Sequence, residues 1–264
     1  MPLIVLSSPK GGVGKTTLTA NLSAAMLQLG WRVAAVDFDV QNALRLHFGM
    51  PLDDGYGYVE RDAQDGDWES LLLRAKNGAY VLPYGNASRT ASESFDKRLQ
   101  EKGGALLKER LGQLLEQPDF LVFADTCPGP SPALAALDDL ADLRIALLLA
   151  DASSLALMPR VEEGTFFRVD DTHTSPIYFI VNQIDPRKRL NRDVLQFISE
   201  RAGPDVLGSI RQDEAVAEAI ADQRIVVDHA PNSAASLDIH AIAKRLNDTL
   251  ISGGIATMGA EARR

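Results

Sequence analysis

The apolar positions of this chain follow two alternating patterns. Short, near-continuous aliphatic runs recur at Leu3–Ser8, Arg32–Asp37, Tyr80–Pro83, Phe120–Asp125, Arg144–Ala150, Ile177–Asn182 and Val206–Ile210. Such runs, with little polar alternation, are expected of strands buried on both faces. Between them apolar residues recur about one helical turn apart. That spacing predicts helices over Thr17–Leu29, Phe95–Leu115, Ala133–Leu140, Leu190–Arg201 and Asp213–Asp222. A last helix, Ser236–Ile251, is expected to pack Leu237, Ile242, Leu246 and Leu250. Tyr84–Ser94 is small and polar and reads as a mobile surface loop, and the Gly- and Ala-rich stretch Ser252–Arg264 reads as a flexible tail. Strand–helix alternation implies right-handed crossovers. The expected fold class is therefore α/β: a doubly wound, mostly parallel sheet of seven or eight strands, helices on both faces, filling residues 1–251 as one domain. Ligands of such sheets bind at the carboxyl ends of the strands.

Composition narrows this picture only a little. The 264 residues carry 27 Lys plus Arg against 36 Asp plus Glu, a formal charge of −9. That balance argues against coating nucleic acid or an anionic membrane through bulk charge. Cys127 stands alone, so no internal disulfide forms, which fits a reducing cytoplasm. His47, His173, His229 and His240 are scattered, without zinc-like spacing. The opening run Met1–Leu6 reads as a buried strand and not a leader, and no stretch approaches the ~20 apolar residues of a membrane span.

The chemistry concentrates at the strand ends. After the first strand comes Lys10-Gly11-Gly12-Val13-Gly14-Lys15-Thr16-Thr17, followed by a helix. This is a phosphate-binding loop. Its glycines admit positive φ and bring backbone N–H groups close to phosphate oxygens. Lys15 supplies a point charge for the β- and γ-phosphates, Thr16 offers a hydroxyl to Mg²⁺, and the helix N-terminus faces the anion. Lys10 is an additional lysine that the common loop lacks. The second strand ends Val36-Asp37-Phe38-Asp39, two carboxylates that can hold a Mg²⁺-bound water and orient an attacking water. Phe120–Asp125 ends in another magnesium-shell candidate, and Pro128-Gly129 beyond it makes a turn able to respond to a γ-phosphate. Cys127 between them reads as a small packed residue. Asn182, also at a strand end, can present donor and acceptor to an adenine edge.

These residues resemble the deviant phosphate-loop ATPases of the ParA/MinD family, over roughly residues 1–250. The resemblance implies ATP and Mg²⁺ as cofactors and an ATP-dependent homodimer that sandwiches two nucleotides. Lys10 matches the signature lysine that crosses to the partner's phosphates, Lys15 the phosphate-loop lysine, and Asp39 the water-positioning residue, which makes these three the catalytic candidates. Asp37 and Asp125, with Thr16, match the magnesium shell. Asn182, Gln212 and Asp213 fall near the nucleotide base. Relatives often carry Pro-Arg-Asp there, whereas this chain has Gln212 before Asp213.

Within the family, three strings resemble the MinD-like members that serve bacterial cellulose synthesis: Asn42–Phe48, Gly66-Asp67-Trp68 ahead of Val81–Gly85, and Arg211–Glu218. They imply partners in the cellulose synthase complex and its cytosolic accessory subunits. The protein would then be cytoplasmic, reaching the inner membrane face through those partners. Two other family roles stay open. A DNA-partitioning ATPase would draw on Arg187-Lys188-Arg189 and Arg192, although a solvated charge run explains them equally and the net charge opposes nucleic acid. A MinD-like positioning ATPase would need a basic amphipathic tail. Gly253–Ala260 has little apolar bulk, so no direct membrane binding is expected. A small-molecule kinase would need a substrate lid that the sequence lacks.

Overall fold

A computed structural model describes residues 2–62, 68–117, 120–163, 165–166 and 175–255. Its centre is an eight-stranded sheet of β1 (Leu3–Ser7), β2 (Arg32–Asp37), β3 (Leu73–Arg74), β4 (Tyr80–Leu82), β5 (Phe120–Asp125), β6 (Leu143–Leu149), β7 (Ile177–Ile184) and β8 (Val206–Arg211). The spatial order is β3-β4-β2-β5-β1-β6-β7-β8. Every neighbouring pair is parallel except β3–β4. β1 therefore lies inside the sheet, with β5 on one side and β6 on the other. Its carboxyl end delivers the glycine loop to the middle of the sheet edge.

The helices are α1 (Lys15–Gln28), α2 (Leu44–His47), α3 (Val59–Asp62), α4 (Arg89–Lys102), α5 (Gly104–Leu115), α6 (Pro132–Asp138), α7 (Ala152–Glu162), α8 (Arg189–Ala202), α9 (Glu214–Ala221), α10 (Val226–His229) and α11 (Ala234–Ser252). They cover both faces of the sheet, and strand alternation divides the core accordingly. Leu3, Val5, Ala34, Val36, Val122 and Ala124 point to one face and pack with residues of α3 to α8. Ile4, Leu6, Val33, Ala35, Leu121 and Phe123 point to the other and pack with α1, α2 and α9 to α11. Each fully buried Leu, Ile, Val or Phe contributes about 1.5–3 kcal/mol over its exposed state. A sheet apolar on both faces is what makes the strand runs unbroken.

Under α3 and α4 sits an aromatic group of Phe38, Tyr58, Trp68, Tyr84 and Phe95, with the Tyr58 and Trp68 rings 4.1 Å apart. Beside it Asp62, fully buried, accepts hydrogen bonds from Trp68 Nε1 at 3.0 Å and Arg110 Nε at 2.8 Å and pairs with Arg98.

Four expectations change. Tyr84–Ser94 is not a loop throughout. Ser88 caps α4 by accepting from the Ala91 N–H at 3.2 Å, and Arg89–Ser94 form its first turns, while Tyr84 is buried among the aromatics. The helix expected over Phe95–Leu115 is two helices broken at Gly103, whose φ of 53° is left-handed. Leu237 is exposed at 54 %, and Ile239 takes the buried position instead, because the helix buries the stripe of Ala235, Ile239, Ile242 and Leu246 and turns Leu237 to solvent. Ser252, expected to open a tail, instead closes α11; beyond Ile255 that expectation lies outside the described residues, as do His173, Gly66 and Asp67. The short antiparallel β3 and helix α7 had no counterpart in the sequence reading. Among the described residues no helix is long and apolar enough to cross a membrane.

Candidate functional site

Two adjoining cavities line the carboxyl ends of the central strands. The first, about 550 Å³, is walled by residues 10–17, by Asp39, Val40, Gln41 and Ala43 after β2, and by Cys127 and Pro128 after β5. The second, about 310 Å³, shares Gly14 and Thr17 and runs on to Asn182, Gln183, Gln212, Asp213 and the apolar Ile210, Val216 and Ile220. Segments far apart in sequence meet here because β2, β5, β1 and β7 all end on one edge.

The glycine loop has the backbone its sequence calls for. Gly12 and Gly14 sit at φ 72° and 87°, and Gly14 caps α1 without any side-chain partner. A β-carbon on Gly14 would also lie 2.7 Å from Asn182 Nδ2. That nitrogen donates to the Val13 carbonyl at 2.8 Å. Asn182 therefore braces the loop, with its amide nitrogen committed to backbone. Asp213 is similarly engaged: it caps α9, one oxygen accepting from the Ala215 N–H at 3.1 Å and the other from the Ala235 N–H at 3.0 Å. Hydrogen bonds from the Ala235 amide foremost hold its carboxyl below the usual range. Gln212 lines the second cavity, its backbone N–H tied to the Ile184 carbonyl at 2.9 Å.

Behind the loop lie two fully buried carboxylates side by side, for Asp37 and Asp125 are register partners across β2 and β5. Lys15, 6 % exposed, donates from Nζ to Asp125 Oδ1 at 3.2 Å and to the Thr126 carbonyl. Thr19 donates to the same Oδ1 at 3.3 Å, whereas Asp125 Oδ2 accepts no well-formed hydrogen bond. Asp37 accepts the Asp39 N–H at 2.9 Å and the Leu44 N–H at 3.1 Å, thereby ordering the loop before α2. Burial raises both acids. The Asp125 charge pushes Asp37 further up, while Lys15 and the Thr16 hydroxyl hold Asp125 partly down. Two carboxylates thus share one ammonium, Lys15, and that deficit of positive charge is the condition a divalent cation relieves. Among the described residues no three His, Cys, Asp or Glu side chains form a ready-made metal cage. The donor set, two hard carboxylates and a hydroxyl, fits Mg²⁺ completed by waters and phosphate oxygens.

Asp39 is 8 % exposed on the cavity wall, with Oδ1 accepting the Gln41 N–H at 2.9 Å. Lys10 does not point into the loop. Its Nζ lies 2.6 Å from Asp151 Oδ2 and 2.6 Å from Ser153 Oγ, at the start of α7. Partial burial acts to raise Asp151, but the bonds from Lys10, the Ser154 N–H and Ser153 prevail and hold its carboxyl at about 2. Sequence reasoning missed Asp151, although Asp-Ala-Ser-Ser after an apolar run is an N-cap signal. Cys127 is half-buried on the cavity wall and not packed away as expected.

Comparison with known proteins follows the same lines. The family model "Cellulose biosynthesis protein BcsQ" matches residues 1–246. The cellulose biosynthesis protein BcsQ of Salmonella typhimurium is 24 % identical over 246 residues, covering 92 % of this chain and 93 % of its own. An ATP-binding protein of Methanocaldococcus jannaschii is 25 % identical over 236 residues, covering 89 % and 83 %. Among solved structures, the septum site-determining protein MinD of Pyrococcus horikoshii, complexed with Mg-ADP, superposes with a TM-score of 0.72 at 23 % identity, covering 97 % of this chain and 99 % of its own.

Proposed function

The chain belongs to the BcsQ family of cellulose biosynthesis proteins, a branch of the ParA/MinD ATPases, and from that premise we propose that it is an ATP-driven dimerisation switch acting on the cellulose synthase complex. One observation carries this reading: a single cavity unites Lys15, Thr16, Asp39, Lys10 and the Cys127-Pro128 turn, so the loops that would sense a γ-phosphate share a wall with the loop that would bind it. The ATP-binding relative and the Mg-ADP complex of the similar fold support the choice of nucleotide.

The residues divide the work by their positions. Gly12 and Gly14 turn backbone N–H groups toward phosphate, and Lys15 exchanges part of its Asp125 contact for phosphate oxygens. Thr16, Asp37 and Asp125 would hold Mg²⁺, which would neutralise charge building on the phosphates. Asp39 orients the attacking water from the cavity wall. The apolar recess of Ile210, Val216 and Ile220 takes the base, with Gln212 at its edge. Lys10 acts in trans once it leaves Asp151, and hydrolysis is slow because the output is a dimer population and not a product.

Binding of a fluorescent ATP analogue and size-exclusion chromatography test the switch. Lys15→Ala should weaken nucleotide binding at least a hundredfold. Lys10→Ala should keep binding yet lose the ATP dimer, and an undiminished dimer removes Lys10 from the interface. For the cellulose role the measure is co-purification with the synthase and its cytosolic accessory subunits, and normal cellulose output from a deletion strain ends that part of the reading. Two observations bear on the alternatives. Arg187 is doubly bonded to Asp185, at 2.9 and 3.0 Å, Lys188 lies 3.9 Å from the same carboxylate, and Arg189 pairs with Asp193 at 3.3 Å, so three of the four basic residues are paired internally and less is free for DNA.

A further inference from the structure

The second nucleotide cavity contains a backbone irregularity that has had no role so far. β7 and β8 run in parallel register, with Val181 opposite Ser209 and Ile184 opposite Arg211. Between those pairs β7 places two residues, Asn182 and Gln183, against Ile210 alone. The extra residue is accommodated at Gln183, whose φ is 57°. That is left-handed backbone, which glycine takes freely and a glutamine rarely adopts. Bulges of this kind re-aim side chains. In a regular strand Asn182 and Gln183 would point to opposite faces of the sheet. Here both line the same cavity.

Neighbours on both sides enforce the irregularity. Asn182 Nδ2 donates to the Val13 carbonyl of the phosphate loop at 2.8 Å. One residue beyond Gln183, the Ile184 carbonyl accepts the Gln212 N–H at 2.9 Å, and the Asp185 N–H donates to Asn191 Oδ1 at 2.9 Å. Ile184 and Asp185 are both buried. Strain held in place this way recurs where a chain must position a group. The group presented here is a free carboxamide. Gln183 is exposed, and among the described residues its side chain makes no hydrogen bond. Asn182 is the less free of the two amides, since its Nδ2 holds the loop. Gln183 Nε2 lies 4.0 Å from the place that a β-carbon on Gly14 would take, so the amide rests against the phosphate loop. Gly14 and Thr17 belong to both nucleotide cavities. Gln183 therefore stands at the passage from the phosphate side to the apolar recess of Ile210, Val216 and Ile220.

A carboxamide offers an acceptor and a donor in one plane. Adenine offers the complement, a 6-amino donor beside a ring-nitrogen acceptor. We propose that Gln183 is the residue that recognises the base, with Oε1 accepting from the 6-amino group and Nε2 donating to the adjacent ring nitrogen. This role presupposes the nucleotide reading of the site. It also gives the bulge its purpose: the left-handed turn brings a second amide to the side of the sheet where the nucleotide lies, while Asn182 secures the loop.

Isothermal titration of the full chain compares Mg-ADP with the diphosphate of purine riboside, also with Mg²⁺, which lacks only the 6-amino group. The wild-type chain should bind ADP at least about fivefold more tightly. Gln183→Ala should bring the two ligands within about twofold of each other by weakening ADP. Gln183→Gly should do the same and melt no lower than wild type, because glycine takes a φ of 57° freely. Gln212→Ala, on the β8 side of the cavity, should keep the wild-type preference. With nucleotide binding intact, the role of Gln183 is overturned by a wild-type chain without preference, by an unchanged preference in the Gln183 variants, or by a loss in Gln212→Ala as great as in Gln183→Ala. A Gln183→Gly chain that melts below wild type overturns it too, since the side chain would then serve the fold. If neither diphosphate binds at ~1 mM, the nucleotide reading fails and the base contact fails with it.

Discussion

Two buried carboxylate sites in this molecule invite comparison. Asp62 lies under α4 and α5 with Arg110, Arg98 and Trp68 all directed at it. Asp37 and Asp125 lie side by side at the strand ends, with Lys15 paired to Asp125, and Asp125 keeps an oxygen without a well-formed bond. The first site is charge-balanced by its own chain and is finished when folding is finished. The second is short of positive charge after folding. Burial penalises both its acids, and the chain retains them anyway, which is the mark of a place completed by something else.

That contrast is best broken first at Asp62. Asp62→Ala removes the fully buried carboxylate that Arg110, Arg98 and Trp68 Nε1 all address, so a loss of about 3–5 kcal/mol is expected. Urea denaturation measures it, and a loss under ~1 kcal/mol would erase the distinction between the two sites.

At the nucleotide site the expected cost is smaller and depends on pH. Asp37→Asn forfeits one backbone hydrogen bond but removes a like charge from beside Asp125, so its net effect at neutral pH should lie within about 1 kcal/mol of zero. The unfolded carboxylate releases its proton near ~4, and native Asp37 releases it later. Over that interval the native state binds more protons, so wild-type stability falls as pH rises from ~4 through the raised native value. Thermal melts across that window should show a flatter profile for Asp37→Asn, and Mg-ADP should flatten the wild-type profile likewise. Identical slopes would dissociate Asp37 from the charge deficit.

The smallest effect belongs to Asp151. Its pair with Lys10 is partly exposed, so Asp151→Asn should alter stability by less than ~1 kcal/mol. It should nevertheless free Lys10 and raise the fraction of dimer that ATP produces on a sizing column. A dimer fraction at or below wild type would mean that the pair does not restrain Lys10.

What the sequence revealed follows from the range of the forces involved. The long strands were legible because β1, β2, β5 and β6 are buried on both faces, which leaves an unbroken aliphatic run. The phosphate loop was legible because its chemistry is local, eight residues in a row. The two-residue β3 was not, since pairing with β4 and not its own pattern makes it a strand. The start of α4 was misread because Ser88–Ser94 is polar: only Phe95 and Leu99 of that helix are buried, and a capping serine looks like any loop serine. Asp151 stayed hidden for the opposite reason. Its significance comes from a lysine 141 residues away, a juxtaposition that exists only once β1 and β6 are neighbours.

The Asn182–Val13 bond has a consequence for timing. A glycine-rich loop ordinarily surrenders much conformational freedom when it closes on a ligand. Here β7 has already fixed the loop from behind, with Gly14 seated against Asn182 so closely that no side chain fits. That entropy is surrendered during folding, before any nucleotide arrives. A nucleotide would then meet a rigid cradle, and any adjustment to it would fall to the segments that β7 does not brace: the stretch from Asp39 to Ala43 and the turn at Cys127 and Pro128.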